Sequence, residues 1–179
     1  MKQKHDIQFI FSDCYDRRFA QNKWKYISQS LLTTVVMFLV LMSMNVVPDN
    51  DVLVACIGAT AFMVFATPHK NISRERYIIP GYIIAMIVGV VCSLICHSSY
   101  MFHAHLMPEY NDEIFGAIAV GLTMLAMVIT NSEHPPAVTM ALALVINSWT
   151  YRTILLTVLA ISLLLTYRYL FRKVMIDLV

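Results

Sequence analysis

The sequence predicts an all-α, polytopic transmembrane helical bundle of about six spans, and three observations lead there. Of the 179 residues, 59% are hydrophobic and only 13% are charged, where an average soluble domain is nearer a quarter charged. Six uncharged runs lie between consecutive charged residues, at 26–48, 52–69, 77–108, 114–132, 134–151 and 153–167. Lys and Arg concentrate in alternate connections, the asymmetry of a chain threaded back and forth through a bilayer.

Residues 1–25 mix Phe9, Ile10, Phe11, Tyr15 and Phe19 with six cationic side chains. That composition suits a cytoplasmic N-terminal arm, either partly disordered or lying in the interface as a short helix. The run from Tyr26 exceeds a signal-peptide core and ends at Val47-Pro48-Asp49 with no small-residue cleavage pattern, so it reads as the first helix. A spanning helix needs roughly 20 mostly apolar residues. The first and third runs meet this easily, and Ile114 to Thr130 fits. The segments 52–67 and 136–151 are short, and the last run reaches length only if Arg168 and Arg172 extend to the interface. A four-span arrangement, with the short segments re-entrant or interfacial, is the alternative. The membrane domain is bounded at 26–172, followed by a cytoplasmic tail, 173–179.

Cytoplasmic loops carry an excess of Lys and Arg. Lys2, Lys4, Arg17, Arg18, Lys23 and Lys25 precede the first span, Lys70, Arg74 and Arg76 follow the second, and Arg168, Arg172 and Lys173 end the last. With six spans all three groups fall on one side, so both termini are expected in the cytoplasm and the protein in the cell (inner) membrane. Cys14, Cys56, Cys92 and Cys96 provide no disulfide framework.

An internal repeat is legible. The pattern G-x-T-x6-T occurs as Gly58, Thr60, Thr67 and as Gly121, Thr123, Thr130. Each copy leads to a polar elbow with Pro and His, Thr67-Pro68-His69 in one and Thr130-Asn131-Ser132-Glu133-His134-Pro135-Pro136 in the other. Each following helix then shows P-x4-A, as Pro80 with Ala85 and Pro136 with Ala141. Such an order fits two parallel two-helix repeats, flanked by a first and a last helix, with a site between the halves. Small residues also recur in membrane helices because they let backbones approach, and Gly58, Thr60, Gly89, Gly116, Gly121 and Thr123 are expected to serve helix packing.

The segment Glu133-His134-Pro135-Pro136-Ala137 carries the most chemistry. Each proline disfavours helix for the residue before it, so an extended elbow is expected at His134 and Pro135, with helix resuming at Pro136. A helix N-terminus with free N–H groups suits an anion. Glu133 can cap that end or yield it to a solute. A histidine titrates near pH ~6.5 when unperturbed, so His134 can hold an anion when protonated or relay a proton. The plainer alternative is a capping pair in headgroup water.

These residues resemble the integral membrane HPP family, named for the tripeptide present here as His134-Pro135-Pro136. The likeness covers roughly 25–170 and rests on Gly58-Ala59-Thr60-Ala61 with Pro68-His69, together with the Glu-His-Pro-Pro-Ala core. Many members follow the tripeptide with glycines and a Gly-Ala-Thr-Ala run, whereas this chain has Ala137-Val138-Thr139-Met140-Ala141. The resemblance implies a compact helical membrane domain acting as a transporter, and plant chloroplast and cyanobacterial relatives are associated with nitrite. It points to His134, Pro135 and Pro136, with Glu133, Thr130, Thr67 and His69 as further candidates for the transport motif.

An outer cluster of Cys92, Cys96, His97, Met101, His103, His105 and Met107 suggests transition-metal binding or transport as an alternative, with His97, His103 and His105 as ligands. No closed zinc signature is present. Enzyme chemistry is not expected, because nucleotide loops, nucleophile elbows and paired carboxylates within a span are lacking. The third class is a non-transporting scaffold subunit. The expected partners are the lipid bilayer, a small inorganic ion as substrate and further copies of the chain, with no nucleic acid and no cofactor.

Overall fold

The computed structural model describes residues 17–44, 51–98, 110–147 and 149–178. Its described elements are six α-helices: α1 Arg17–Met44, α2 Asp51–Ala66, α3 Glu75–Cys96, α4 Asn111–Ile129, α5 Pro135–Ile146 and α6 Tyr151–Phe171, with a 3₁₀ turn at Asn71–Ser73 between α2 and α3. The chain is therefore a polytopic helical bundle. Four helices, α1, α3, α4 and α6, are long and apolar enough to cross a membrane. The two short segments are helical too, but α2 has 16 residues and α5 has 12. At 1.5 Å per residue these are about 24 and 18 Å long, against roughly 30 Å of hydrocarbon.

Local chemistry accounts for the helix ends. Asp112 and Glu113 sit in the first turn of α4, where carboxylates complement the helix dipole. Thr150 and Thr153 form a reciprocal capping box at the start of α6. Pro80 lies inside α3 and removes its bond to the carbonyl of Arg76.

Short α5 is the hub. Pro136, Ala137, Met140, Ala141, Ala143, Leu144 and Val145 are buried because α2, α3 and α4 all pack against it. A Cβ built on Gly81 would lie 3.0 Å from His134 Cβ, and one on Gly89 3.0 Å from Ala141 Cα. Further along, Trp149 Nε1 donates to Ser93 Oγ at 3.0 Å. These contacts progress in the same direction along both segments, so α3 and α5 are parallel neighbours. Gly116, at the start of α4, faces Leu142 and Ile146 at the end of α5, so α4 runs antiparallel to α5. Packing of α2 on α5 mirrors that of α4 on α3, in keeping with the repeat read from the sequence. The mirror is incomplete: α4 also packs closely on α5, whereas α2 has no comparable packing on α3.

Packing by glycine follows the expectation at Gly89 and Gly116 and departs from it at Gly58 and Gly121. Nothing lies within 4 Å of a Cβ built on Gly121, and Gly58 would meet only Met37 Cε at 4.0 Å. Close helix approach belongs to Gly89 and Gly116 as expected, and also to Gly81: Gly81 and Gly89 face α5 and its preceding elbow, a Cβ on Gly116 would meet Leu142 Cδ1 at 2.8 Å, and Gly121 faces outward. Thr60 and Thr123 are fully buried.

Arg168 also departs from expectation. Rather than extending to the interface it is 4% exposed, with Nη1 2.5 Å from Glu75 Oε1 and Nη2 donating to the Pro68 carbonyl at 2.7 Å. It therefore ties the end of α6 to the α2–α3 turn. Residues 172–178 return to the same end. Leu178 N–H donates to the Ala66 carbonyl at 2.7 Å, His69 N–H to Asp177 Oδ1 at 3.0 Å, and His69 Nε2 lies 3.0 Å from the Met175 carbonyl. Gln29 on α1 is the clasp: its amide N–H donates to the Phe65 and Ile176 carbonyls and its oxygen accepts from Ile176 N–H. Carbonyls left over at the end of α2 are thereby satisfied.

Gln29→Leu is expected to cost about 2 kcal/mol, since it removes three bonds each worth roughly 0.5–1.5 kcal/mol net. Thermal unfolding in detergent measures the loss. Faster proteolysis after Lys173 in the variant is the accompanying sign of a released tail; unchanged cleavage would mean that Gln29 does not hold it.

Candidate functional site

The elbow between α4 and α5 is built by a Schellman-type stop followed by a proline start. Asn131 takes the left-handed conformation, φ 50°, which asparagine tolerates better than most residues. Ser132 N–H then reaches the Met127 carbonyl at 2.9 Å and Asn131 N–H the Val128 carbonyl at 3.2 Å, the paired bonds of that motif. His134 is the N-cap of α5, with φ −139° and ψ 91°, the extended conformation that a following proline imposes. Helix resumes at Pro135, one residue earlier than expected.

This geometry turns His134 inward. It is fully buried, while Glu133 beside it is exposed. His134 Nε2 lies 3.2 Å from Thr60 Oγ1 on α2, and Thr60 Oγ1 lies 2.6 Å from Tyr82 Oη on α3. The His134 and Tyr82 rings are 5.6 Å apart. Thr60 is six residues before the end of α2, a rise of about 9 Å, so the cluster sits well inside the bundle rather than at its surface.

Proton counting orders the network. Thr60 O–H donates to the Cys56 carbonyl at 3.1 Å, and a hydroxyl has one donor and two acceptor positions. Its oxygen can then accept from both Tyr82 O–H and His134 Nε2–H. That assignment leaves His134 Nδ1 as the acceptor nitrogen, and Nδ1 is buried with no partner. Thr123 Oγ1, the counterpart of Thr60 in the repeat, is likewise buried and unpartnered.

His134 also contributes to the wall of an open groove of about 380 Å³ between α4 and α5, with Glu133, Pro135, Met127, Val138 and Thr139. The groove is mainly apolar. Two prolines at its start strip α5 of N–H donors at both positions, and Ala137 N–H is taken by the His134 carbonyl at 2.9 Å. The anion cradle of free helix N–H groups expected from the sequence is thus not what this elbow presents. Its polar chemistry is an imidazole and two hydroxyls.

The remaining motif residues lie in other settings. Thr130 is exposed and bonds the Ala126 carbonyl and Ser132 Oγ at the end of α4. Thr67 bonds the Met63 carbonyl and Ser73 Oγ, and His69 holds the C-terminal segment. The two elbows are alike in sequence but differ in burial: His69 is exposed and His134 is enclosed. Sequence reasoning missed Tyr82, which stands in α3 five residues after Tyr77 and opens an apolar run to Cys92. A tyrosine at the head of that apolar run was the available signal, because a buried tyrosine hydroxyl needs a partner. His103 and His105 lie outside the described residues. His97 is described and lies beside Asp112, 3.6 Å from Nε2 to Oδ1.

The family model for the HPP transmembrane region matches residues 19–175. Two Dictyostelium discoideum proteins named as transmembrane proteins are similar to the chain. One is 30% identical over 97 residues, 54% of this chain and 31% of the relative. The other is 25% identical over 125 residues, 70% of this chain and 37% of the relative. The chain thus spans about a third of the length of the curated relatives it matches. No solved structure matches it significantly.

Proposed function

The chain belongs to the HPP transmembrane family, and from that membership we propose that it carries a small inorganic anion, such as nitrite, across the membrane together with a proton, through a path centred on His134. The single observation that carries this reading is the fully buried imidazole at a break between two helices, with Nδ1 unpartnered. Broken helices and irregular backbone at membrane depth occur where protein encloses them or a cavity adjoins them. A proton taken up at Nδ1 would turn the acceptor into a donor, able to hold an anion beside the Thr60 and Tyr82 hydroxyls. Glu133, in the groove wall, repels an anion when ionised, which favours joint movement of anion and proton. By the positive-inside rule the end bearing Lys70, Arg74, Arg76, Arg172 and Lys173 faces the cytoplasm.

The test is uptake into proteoliposomes containing only this protein, across nitrite, nitrate, chloride, formate and divalent metals at two pH values. Nitrite uptake is expected, faster at the more acidic pH. His134→Ala should reduce it at least about tenfold, since a hydrogen bond to a charged group contributes roughly 1.5–3 kcal/mol and 1.4 kcal/mol is a factor of ten. Glu133→Gln should weaken the pH dependence. Absence of flux for every solute would favour the scaffold alternative and end this proposal. Full activity in His134→Ala would also end it, because the path would then not depend on that imidazole.

A further inference from the structure

At the end of the bundle opposite the elbow, the last turn of α3 meets the first turn of α4. Cys96 Sγ lies 3.4 Å from Asp112 Oδ1, and His97 Nε2 lies 3.6 Å from the same oxygen. All three ligand atoms fall within 4.8 Å of one another. We propose that Cys96, His97 and Asp112 form a binding site for a divalent transition-metal ion of the zinc class, joining α3 to α4.

The distances match the chemistry. Metal–ligand bonds near 2.3 Å for sulfur and 2.0–2.2 Å for nitrogen and oxygen, arranged tetrahedrally, place neighbouring ligand atoms roughly 3.4–3.6 Å apart. Both measured edges through Asp112 have that length without rearrangement. Thiolate, imidazole and carboxylate together select a borderline ion over calcium or magnesium, which take oxygen ligands.

The second shell points the same way. His97 Nδ1 lies 2.9 Å from the Ser93 carbonyl, an acceptor only, so Nδ1 carries a proton. A ligating histidine characteristically donates its other N–H in this manner, which fixes ring and tautomer. In the neutral ring Nε2 turns its lone pair towards the Asp112 carboxylate, an opposition that a cation between them relieves. Binding displaces the Cys96 thiol proton, and the Nε2 proton when the ring carries one, to water; no electron moves. Three protein ligands leave one coordination position open. Cys96 is buried, while the His97 and Asp112 side chains are 59% and 49% exposed, which provides an entry route. The set differs from that expected from the sequence, since Cys96 and Asp112 take the places of His103 and His105.

The experiment is titration of the purified, metal-stripped and reduced full chain in detergent with Co²⁺ as optical probe and Zn²⁺ as competitor. Wild type is expected to show a thiolate-to-cobalt charge-transfer band that Zn²⁺ abolishes, and Zn²⁺ should raise its melting temperature. Cys96→Ser should lose the band. His97→Ala and Asp112→Asn should each weaken binding at least about tenfold, the lower end of losses from outer-shell changes alone. The double variant His103→Ala/His105→Ala should bind as wild type. Should Cys96→Ser not fold, the solvent-exposed His97→Ala and Asp112→Asn carry the test through the Zn²⁺-dependent melting shift. No cobalt band in wild type, a band that persists in Cys96→Ser, unchanged affinity in both other variants, or loss only with the loop histidines would each overturn the site. Transport through His134 is read separately, so either idea can fail alone.

Discussion

Gly89→Val is expected to be among the most destabilising single substitutions in the chain. A Cβ at this position would lie 3.0 Å from both Cα and the carbonyl oxygen of Ala141 and 3.1 Å from Leu144 Cβ. Two of those atoms are backbone and cannot swing aside, so α3 and α5 must separate. Ala85 and Ala141, fully buried nearby, would lose contact with the separation. Overpacking costs about 1–3 kcal/mol, and a branched side chain against backbone belongs at the upper end. Lipid tails are as apolar as the side chains, so packing lost between membrane helices is not recovered by a hydrophobic driving force. Thermal unfolding in detergent should show a large fall for Gly89→Val, a smaller one for Gly89→Ala, and none for Gly121→Val, where a Cβ meets open space. Equal melting temperatures for Gly89→Val and wild type would mean that the α3–α5 contact is not as close as described.

The second large effect is at the Arg168–Glu75 pair, and its sign of asymmetry is the test. The Arg168 side chain is 5% exposed and that of Glu75 is 42% exposed. Glu75→Ala leaves a cation shut away from water with only the Pro68 carbonyl to hold it, and breaking a buried pair in this way costs about 3–5 kcal/mol. Arg168→Met leaves a carboxylate that can turn to solvent and a single unsatisfied carbonyl, at about 1–3 kcal/mol. The expected order is therefore that loss of the half-exposed carboxylate does more damage than loss of the buried arginine. In the double variant Glu75→Ala/Arg168→Met the stranded charge is gone, and its loss should be smaller than the sum of the single losses. Additive losses would show that the two side chains do not depend on each other.

How far each feature could be read from the sequence depended on the range of the forces behind it. Helix character follows from local runs of apolar residues, which is why all six segments are helical and why 52–67 and 136–151 stood out as short. The elbow at His134 was legible because proline constrains its own backbone and that of its neighbour, whatever surrounds them. Arg168 was misread as an interfacial side chain because α6 is apolar on all sides, with Leu155, Val158 and Leu159 exposed, and only the structure shows which face is buried. Thr153, Thr157, Ala160, Ile161 and Leu164 are buried at helical spacing, and Arg168 continues that stripe inward rather than outward. Gly81 and Gly121 look alike in sequence, and only the direction each faces separates a tight contact from open space.

By itself the sequence determined a membrane protein of the HPP type, its helical segments, its basic end and the prolines that break the chain before α5. Those are properties of composition and of short-range backbone sterics. Only the tertiary structure decided that His134 turns inward to Thr60 and Tyr82, that Gly81 and Gly89 rather than Gly121 make the close packing, and that Cys96, His97 and Asp112 converge. Thr60 and His134 are 74 positions apart and Cys96 and Asp112 are 16 apart. Their meeting depends on which helices pack side by side and on the rotation of each about its axis, quantities that no local run of residues encodes.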